Sequence, residues 1–133
     1  MNEKNIVYTA LFVQDVRSLL EQFAPKHAIT YGHHSTIAFK PKNLAGIEIG
    51  KTSMILIIGR ASDERGDALL VRNPRSNNEI PHITLSCADG VKPFYSNELL
   101  KKSLADGGVE RFSEPIEIEV VEGYFDGKTK VIS

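Results

Sequence analysis

The sequence predicts an α+β domain of mainly antiparallel strands, and three features of the chain support that fold class. A nearly continuous apolar and β-branched run near the start is followed by a helical pattern. Several short strand-like runs then precede a second helical pattern, and the chain closes on alternating apolar and acidic residues. In this order of elements, mainly antiparallel strands are expected to present one face to the helices.

The N-terminal part of the chain predicts a strand, a helix and a second strand. Residues 5–13 form the apolar run that is typical of a buried strand. Asp15 is the predicted N-cap of the helix that follows, and Pro25 ends this helix. Apolar residues recur at i, i+3, i+4 and i+7 and therefore share one face, namely Val16, Leu19, Leu20 and Phe23. The next strand is predicted at 33–39, before the turn sequence KPKN.

The middle of the chain predicts further strands and one long loop. Strands are expected near 46–50, 53–59 and 68–72, where β-branched and apolar residues cluster. The segment 72–81 is rich in Asn, Pro and Ser and has no periodicity, which indicates a loop. This loop leads directly into the strand-like sequence HITLSC.

The C-terminal part predicts a second helix and a closing hairpin. The helix is expected over 97–105, because capping residues precede it and two glycines follow it. The sequence PIEIEVV then alternates apolar and acidic residues, as a half-exposed strand does. Asp126 and Gly127 supply a hairpin turn into a last strand at 129–132.

Length, composition and charge fit a soluble protein with one domain over residues 1–133. The chain has 133 residues, of which 41% are hydrophobic and 25% are charged. Sixteen basic and 17 acidic side chains give a formal net charge of −1, which argues against wrapping a long nucleic acid but allows a short strand end or a free nucleotide. The single cysteine, and the absence of a visible leader or membrane span in the sequence, predict a cytoplasmic protein. If a virus encodes it, the host cytoplasm is expected.

Two segments, HSTIAF and HITLS, repeat the pattern His-x-Thr at the start of a predicted strand. Because alternate side chains of a strand share a face, His34 points with Thr36, and His82 points with Thr84. If the two strands are neighbours, two imidazoles and two hydroxyls converge on one cleft. One imidazole can then take a proton from water while the other gives one to the leaving oxygen of a phosphodiester. The hydroxyls can bind the non-bridging oxygens, so the pattern predicts hydrolysis without a metal or other cofactor.

These paired motifs resemble those of the two-histidine (2H) phosphoesterase superfamily. YGHHSTIAF and PHITLSCADGVKPFYSNELL are most similar to the RNA-ligase-associated cyclic phosphodiesterases and their small viral and bacterial relatives. The resemblance implies a bilobal fold with a central cleft lined by strands and with helices on the outer faces. It also implies that His34 and His82 are catalytic, that Thr36 and Thr84 bind phosphate, and that the product keeps its phosphate on the 2′ oxygen.

Other residues near the motifs have less specific signals. Tyr8 could stack on a base, as aromatic residues do with single-stranded nucleotides, and core packing is the alternative. Lys92, in the loop after the second motif, could contact a phosphate. His33 is expected on the face opposite His34, because only His34 has a threonine two residues later. A zinc site made of these histidines and Cys87 matches no standard ligand spacing.

The predicted function is hydrolysis of a cyclic or 2′-linked phosphodiester, with a 2′,3′-cyclic phosphate of an RNA end or small nucleotide as the first candidate substrate. One alternative is a phage-type phosphodiesterase that degrades cyclic oligonucleotide immune messengers. Another is a catalytically silent RNA-binding module, which would not need two proton-transfer groups. The expected partner is therefore an RNA terminus or a small cyclic nucleotide or oligonucleotide, with neither a membrane nor an obligate protein partner.

Overall fold

The computed structural model describes residues 6–133, and within them the chain forms eight strands and two helices. The elements in chain order are β1 (Tyr8–Val13), α1 (Val16–Gln22), β2 (Ile29–Thr30), β3 (His34–Phe39), β4 (Thr52–Ser62), β5 (Gly66–Arg72), β6 (His82–Cys87), α2 (Tyr95–Asp106), β7 (Glu110–Phe125) and β8 (Lys130–Val131). The predicted α+β class is confirmed. Neither helix is long and apolar enough to cross a membrane.

The strands of this region form one sheet in which every pair is antiparallel. The order is β2-β6-β5-β4-β7-β1-β3, and β8 pairs with β7. Although β3 and β6 stand at or near opposite ends of this order, they lie close to each other in space. The sheet therefore curls back on itself, and this curvature brings the two motif strands together. The bilobal arrangement that the resemblance implies stays a prediction.

Apolar side chains fill the inside of the curled sheet and form the main core. Members of this core come from six strands and from α1, and they include Leu11, Ile57, Leu69 and Ile83. The predicted apolar face of α1 is confirmed, because Leu19 and Phe23 are buried in this core, and Val16 and Leu20 pack against it. Asp15 caps the helix as predicted, since its carboxylate accepts a hydrogen bond from the backbone N–H of Ser18 at 2.9 Å.

The second helix covers the outer surface of the sheet. Leu99 and Leu100 of α2 pack against Ala61, Ala68 and Leu70 from β4 and β5. The helix begins at Tyr95, two residues earlier than predicted, and Phe94 provides the N-cap without a side-chain hydrogen bond. It ends as predicted before Gly107, whose φ of +79° favours glycine. This packing places the start of α2 beside β6.

A crossing segment, residues 24–33, joins α1 to β3 and spans the gap between the two motif strands. Ile29 and Thr30 pair with the end of β6, and the N–H of Gly32 donates to the carbonyl of Thr84 at 2.8 Å. One residue later, the carbonyl of His33 accepts from the N–H of Val13 on β1 at 2.8 Å. The same short piece of main chain is thus bonded to both ends of the sheet.

Several predicted boundaries differ from those observed. The strand predicted at 46–50 is wrong, because these residues form turns in which the N–H of Ile47 donates to the Leu44 carbonyl. The strand predicted over 5–13 begins at Tyr8, and residue 5 lies outside the described residues. The strand predicted at 53–59 extends over Thr52–Ser62, while the last strand is short, at Lys130–Val131. The alternating strand β7 is longer than predicted, and the two-residue strand β2 was not predicted.

Candidate active site

Both His-x-Thr motifs line one pocket with a volume of about 710 Å³. This volume lies within the range of about 300–1,000 Å³ that is common for small-molecule sites. His34 and Thr36 enter it from β3, and His82 and Thr84 enter it from β6. Other lining residues include Tyr8, His33, Phe39, Asn78, Phe94 and Phe125.

The alternation of β3 directs the first motif toward the pocket and its neighbours toward the core. His34 and Thr36 are partly exposed, whereas Ser35 and Ile37 are buried. The Ser35 hydroxyl accepts a hydrogen bond from the side-chain amide of Asn73 at 3.1 Å. The Ser35 side chain is therefore buried on the side of β3 away from the pocket, as predicted for the middle position of the motif.

His34 is held against aromatic side chains. The Tyr8 ring stacks on its imidazole with centroids 4.4 Å apart, and the Tyr8 hydroxyl lies 3.4 Å from Nδ1. Burial is the main reason that the pKa of His34 is lowered to about 4, and the charges of His33 and His82 contribute to the same lowering. Burial also raises the pKa of Tyr8 to about 12, so its hydroxyl keeps its proton. His34 is thus a neutral imidazole near neutral pH.

His82 has a hydrogen-bond partner that fixes the position of its own proton. Its Nδ1 lies 2.9 Å from the carbonyl oxygen of Ile80. A carbonyl only accepts, so Nδ1 donates and Nε2 is the nitrogen that remains for the pocket. Burial lowers the pKa of His82, while the Ile80 carbonyl opposes that change by stabilising the imidazolium.

The hydroxyl of Thr84 connects the second motif to the start of α2. Its Oγ1 lies 2.7 Å from the Ser96 hydroxyl and 3.3 Å from the Pro93 carbonyl, to which it donates. Thr36 differs, because among the described residues its hydroxyl has no protein partner within hydrogen-bond distance. Both hydroxyls line the pocket, but only that of Thr84 is shared with a neighbouring side chain.

The loop between β5 and β6 ties the first motif strand to the second. The Ser76 hydroxyl donates to the Thr36 carbonyl at 2.8 Å, and the Asn77 N–H donates to the Ile37 carbonyl at 2.7 Å. Arg75 anchors the same loop through a hydrogen-bonded ion pair with the buried carboxylate of Glu122 at 2.5 Å. Because this loop ends just before His82, it helps to set how β3 lies against β6.

The structure corrects the expected position of His33, and it does not include Lys92 in the pocket lining. The prediction that His33 faces away from His34 is wrong, since His33 lines the same pocket. It precedes the first residue of β3, so strand alternation does not determine its direction. Burial and then the charge of Lys130 lower the pKa of His33. Lys92 is exposed and is not among the pocket-lining residues described.

The pocket also contains residues that the sequence analysis missed, among them Phe39, Asn78, Phe94 and Phe125. Phe94 could have been suspected from the sequence, because it is an apolar residue in a polar loop and does not belong to any periodic pattern of core residues. Among the lining residues in 6–133 there is no lysine or arginine. Nor do the residues of this range contain a group of three or more His, Cys, Asp or Glu placed to hold a metal ion.

The chain matches the model of a known protein family. The model of the fungal tRNA ligase phosphodiesterase domain matches residues 52–130, which is more than half of the chain. The matched part includes the second motif on β6 and the helix α2, and it begins after the first motif on β3. A search of curated proteins finds no match to this chain.

Proposed function

Since the chain belongs to the fungal tRNA ligase phosphodiesterase domain family, we propose that it is a metal-independent cyclic phosphodiesterase. Its substrate is a 2′,3′-cyclic phosphate at an RNA end or on a small nucleotide. Family membership supports a phosphodiesterase-type hydrolase with an RNA-related substrate. It gives no support to a silent binding module or to the degradation of cyclic oligonucleotide messengers.

One observation carries the catalytic part of the proposal. The two His-x-Thr motifs are far apart in the sequence and lie on strands that share no hydrogen-bonded pairing in the sheet order, yet all four side chains line one pocket. Opening a cyclic phosphodiester requires a base for the attacking water and an acid for the leaving oxygen. Two imidazoles on separate strands can supply them from different sides of the phosphorus.

In this proposal His34 is the general base and His82 the general acid. The lowered pKa of His34 keeps it neutral, so it can take a proton from water as the water oxygen bonds to phosphorus. Burial lowers the pKa of His82, but the Ile80 carbonyl and a bound phosphate anion both stabilise its charged form. His82 then gives its Nε2 proton to the 3′ oxygen as the bond from phosphorus to that oxygen breaks. The products are a 2′-phosphate and a free 3′-hydroxyl.

The two threonines act on the non-bridging oxygens. The Thr36 hydroxyl is free to donate to one of them, and the Thr84 hydroxyl can exchange its long 3.3 Å bond to the Pro93 carbonyl for a bond to another. Preorganised donors of this kind lower the barrier because charge is rearranged on these oxygens during the reaction.

The test is turnover of adenosine and cytidine 2′,3′-cyclic phosphates by the purified protein in excess EDTA, with the product identified by phosphorus NMR. We expect hydrolysis to the 2′-phosphate and retention of activity in the chelator. The His27→Ala variant is the matched control, because His27 is outside the pocket lining and its ring is bonded to the Asp63 carbonyl. Absence of turnover, or activity that EDTA removes and zinc, manganese or magnesium restores, would contradict the proposal.

A further inference from the structure

Two phenyl rings at the pocket are unusually exposed. Phe39 is 66% exposed and Phe94 is 71% exposed, which makes them the two most exposed large hydrophobic side chains in residues 6–133. Both line the pocket that contains the two motifs. Phe39 ends the strand of the first motif, and Phe94 caps the helix that follows the second. Each motif is therefore accompanied by one exposed ring.

The Phe94 ring, and the face of the Phe39 ring opposite the Lys40 ammonium, are available for a ligand; the ammonium lies 5.5 Å from the Phe39 centroid. Neither ring stacks on another aromatic side chain within the part of the chain that the structure describes. Tyr8 is different, because its ring already stacks on His34 and on Phe125. Single exposed apolar residues are common on protein surfaces, but two flat rings in one concave site indicate a ligand with flat apolar parts.

The charge of the pocket limits the kind of contact that a nucleotide can make there. The described lining contains no lysine or arginine, and the chain has a net charge of −1. Phosphate neutralisation therefore contributes little to binding, whereas stacking on an aromatic side chain works with every base.

We propose that Phe39 and Phe94 each stack on one base of the same substrate, so that the pocket binds two adjacent nucleotides. The preferred substrate is then a single-stranded RNA end of at least two nucleotides, and a cyclic mononucleotide uses only one ring. The inference rests on the proposed function for the identity of the bond that is cleaved. Binding of two bases can be tested whether or not the protein turns over this substrate. Losing one stacked base lowers binding by between about fivefold and about 150-fold.

The experiment compares a 2′,3′-cyclic mononucleotide with di- and tetranucleotides that end in the same group. We expect kcat/KM to rise at least about fivefold from one nucleotide to two, and less than about threefold from two to four. Phe39→Ala and Phe94→Ala should each bring the dinucleotide close to the mononucleotide value, as should the Phe→Leu variants, which keep apolar area without a flat ring. Met54→Ala is the control, since Met54 is 53% exposed and does not line the pocket.

Calorimetry with an RNA dinucleotide and a mononucleotide, each carrying a 2′-phosphate, tests the same site without turnover. Tighter binding of the dinucleotide that both alanine variants abolish supports the inference even if the protein cleaves no cyclic phosphate. Equal binding and equal kcat/KM for one and two nucleotides would overturn it. So would a dimer in solution that Phe94→Ala dissociates without any change in nucleotide binding, because the rings would then serve an interface between copies.

Discussion

The two motif strands bring the same pair of side chains to one pocket, but the protein surrounds each pair differently. On β3, His34 lies against the ring of Tyr8, and the Thr36 hydroxyl is left for a ligand. On β6, His82 donates to a backbone carbonyl, and the Thr84 hydroxyl is shared with Ser96. An aromatic, buried setting disfavours an imidazolium, whereas a carbonyl acceptor favours it. Repeated motifs can therefore be specialised by their surroundings alone.

Removing each histidine in turn is the most direct test of the proposed difference between the two strands. We expect His34→Ala and His82→Ala each to lower kcat by about two to four powers of ten, because a positioned general acid or base usually increases the rate by this factor. If the roles differ as proposed, the acid limb of the pH profile disappears in the first variant and the basic limb in the second. Steady-state kinetics from pH 4.5 to 8.5 measure both effects, and near-full activity in either variant removes that histidine from the mechanism.

Replacing the threonines tests the second difference between the strands. Thr36→Val and Thr84→Val keep the branched shape but lose the hydroxyl, and we expect kcat to fall by on the order of ten- to a thousandfold in each. Of the two threonine hydroxyls, Ser96 is hydrogen-bonded only to that of Thr84. Ser96→Ala should therefore alter the rate in the wild type and leave it unchanged in the Thr84→Val background. Additive effects in this double-mutant cycle would argue against a shared hydrogen bond.

The stability of the protein should depend on pH through His34. Its pKa is about 4 in the folded chain and near 6.5 in the unfolded chain, so only the unfolded chain gains this proton between those values. The free energy of unfolding therefore falls as the pH drops from 6.5 toward 4, by up to roughly 3 kcal/mol from this residue. Urea unfolding at pH 7 and pH 4.5 should show a smaller difference for His34→Ala than for the wild type; an equal difference would mean that His34 titrates normally.

The pH dependence of kcat/KM reports the pKa values of the free enzyme, and that of kcat reports those of the enzyme–substrate complex. We expect the two profiles to differ. Burial lowers the pKa of both His34 and His82, so the bell-shaped profile of kcat/KM should be centred below pH 6.5. Because the two histidines interact, the apparent pKa values of the two limbs describe the pair and not either histidine alone. A bound phosphate anion stabilises the imidazolium, so the kcat profile should be displaced to higher pH, by about one unit. A rate that simply rises from pH 5 to 8 is the outcome that this scheme does not allow.

The smallest effect is expected at Tyr8. Tyr8→Phe keeps the ring that stacks on His34 and removes only a hydroxyl at the long distance of 3.4 Å. A hydrogen bond of this length contributes little, so kcat should fall less than about tenfold. Tyr8→Leu removes the ring as well and should have the larger effect. If the two variants behave alike, the hydroxyl and not the stacking positions His34.

Much of this site follows from local sequence rules, and the remainder depends on tertiary structure. The period of two in a strand predicted which residues of each motif share a face, and the pocket lining agrees with that alternation. His33 was misplaced because it precedes β3, where that period does not hold. The motif strands face each other only because the sheet curls, and no residue pattern within either strand encodes that curvature.

The errors in the fold have similar causes. Ile47 and Ile49 alternate as in a strand, but Gly46 and Gly50 beside them adopt positive φ values of +81° and +88°. The isoleucines instead pack on a small cluster with Tyr124, which local periodicity does not reveal. A two-residue strand such as β2 is too short to have any period, so only its pairing with β6 defines it.

The crossing segment has a consequence for how sequences of this kind can diverge. Its bonds to both ends of the sheet are made by main-chain groups, which every amino acid except proline supplies in full. Substitutions at the exposed positions 28–30, which do not line the pocket, should therefore accumulate without changing the gap between the two imidazoles. Gly32 is constrained by its backbone, because its φ is +79° and an added Cβ would lie 3.0 Å from the side chain of Leu20. In a collection of homologous sequences, we expect 28–30 to vary while this glycine is kept.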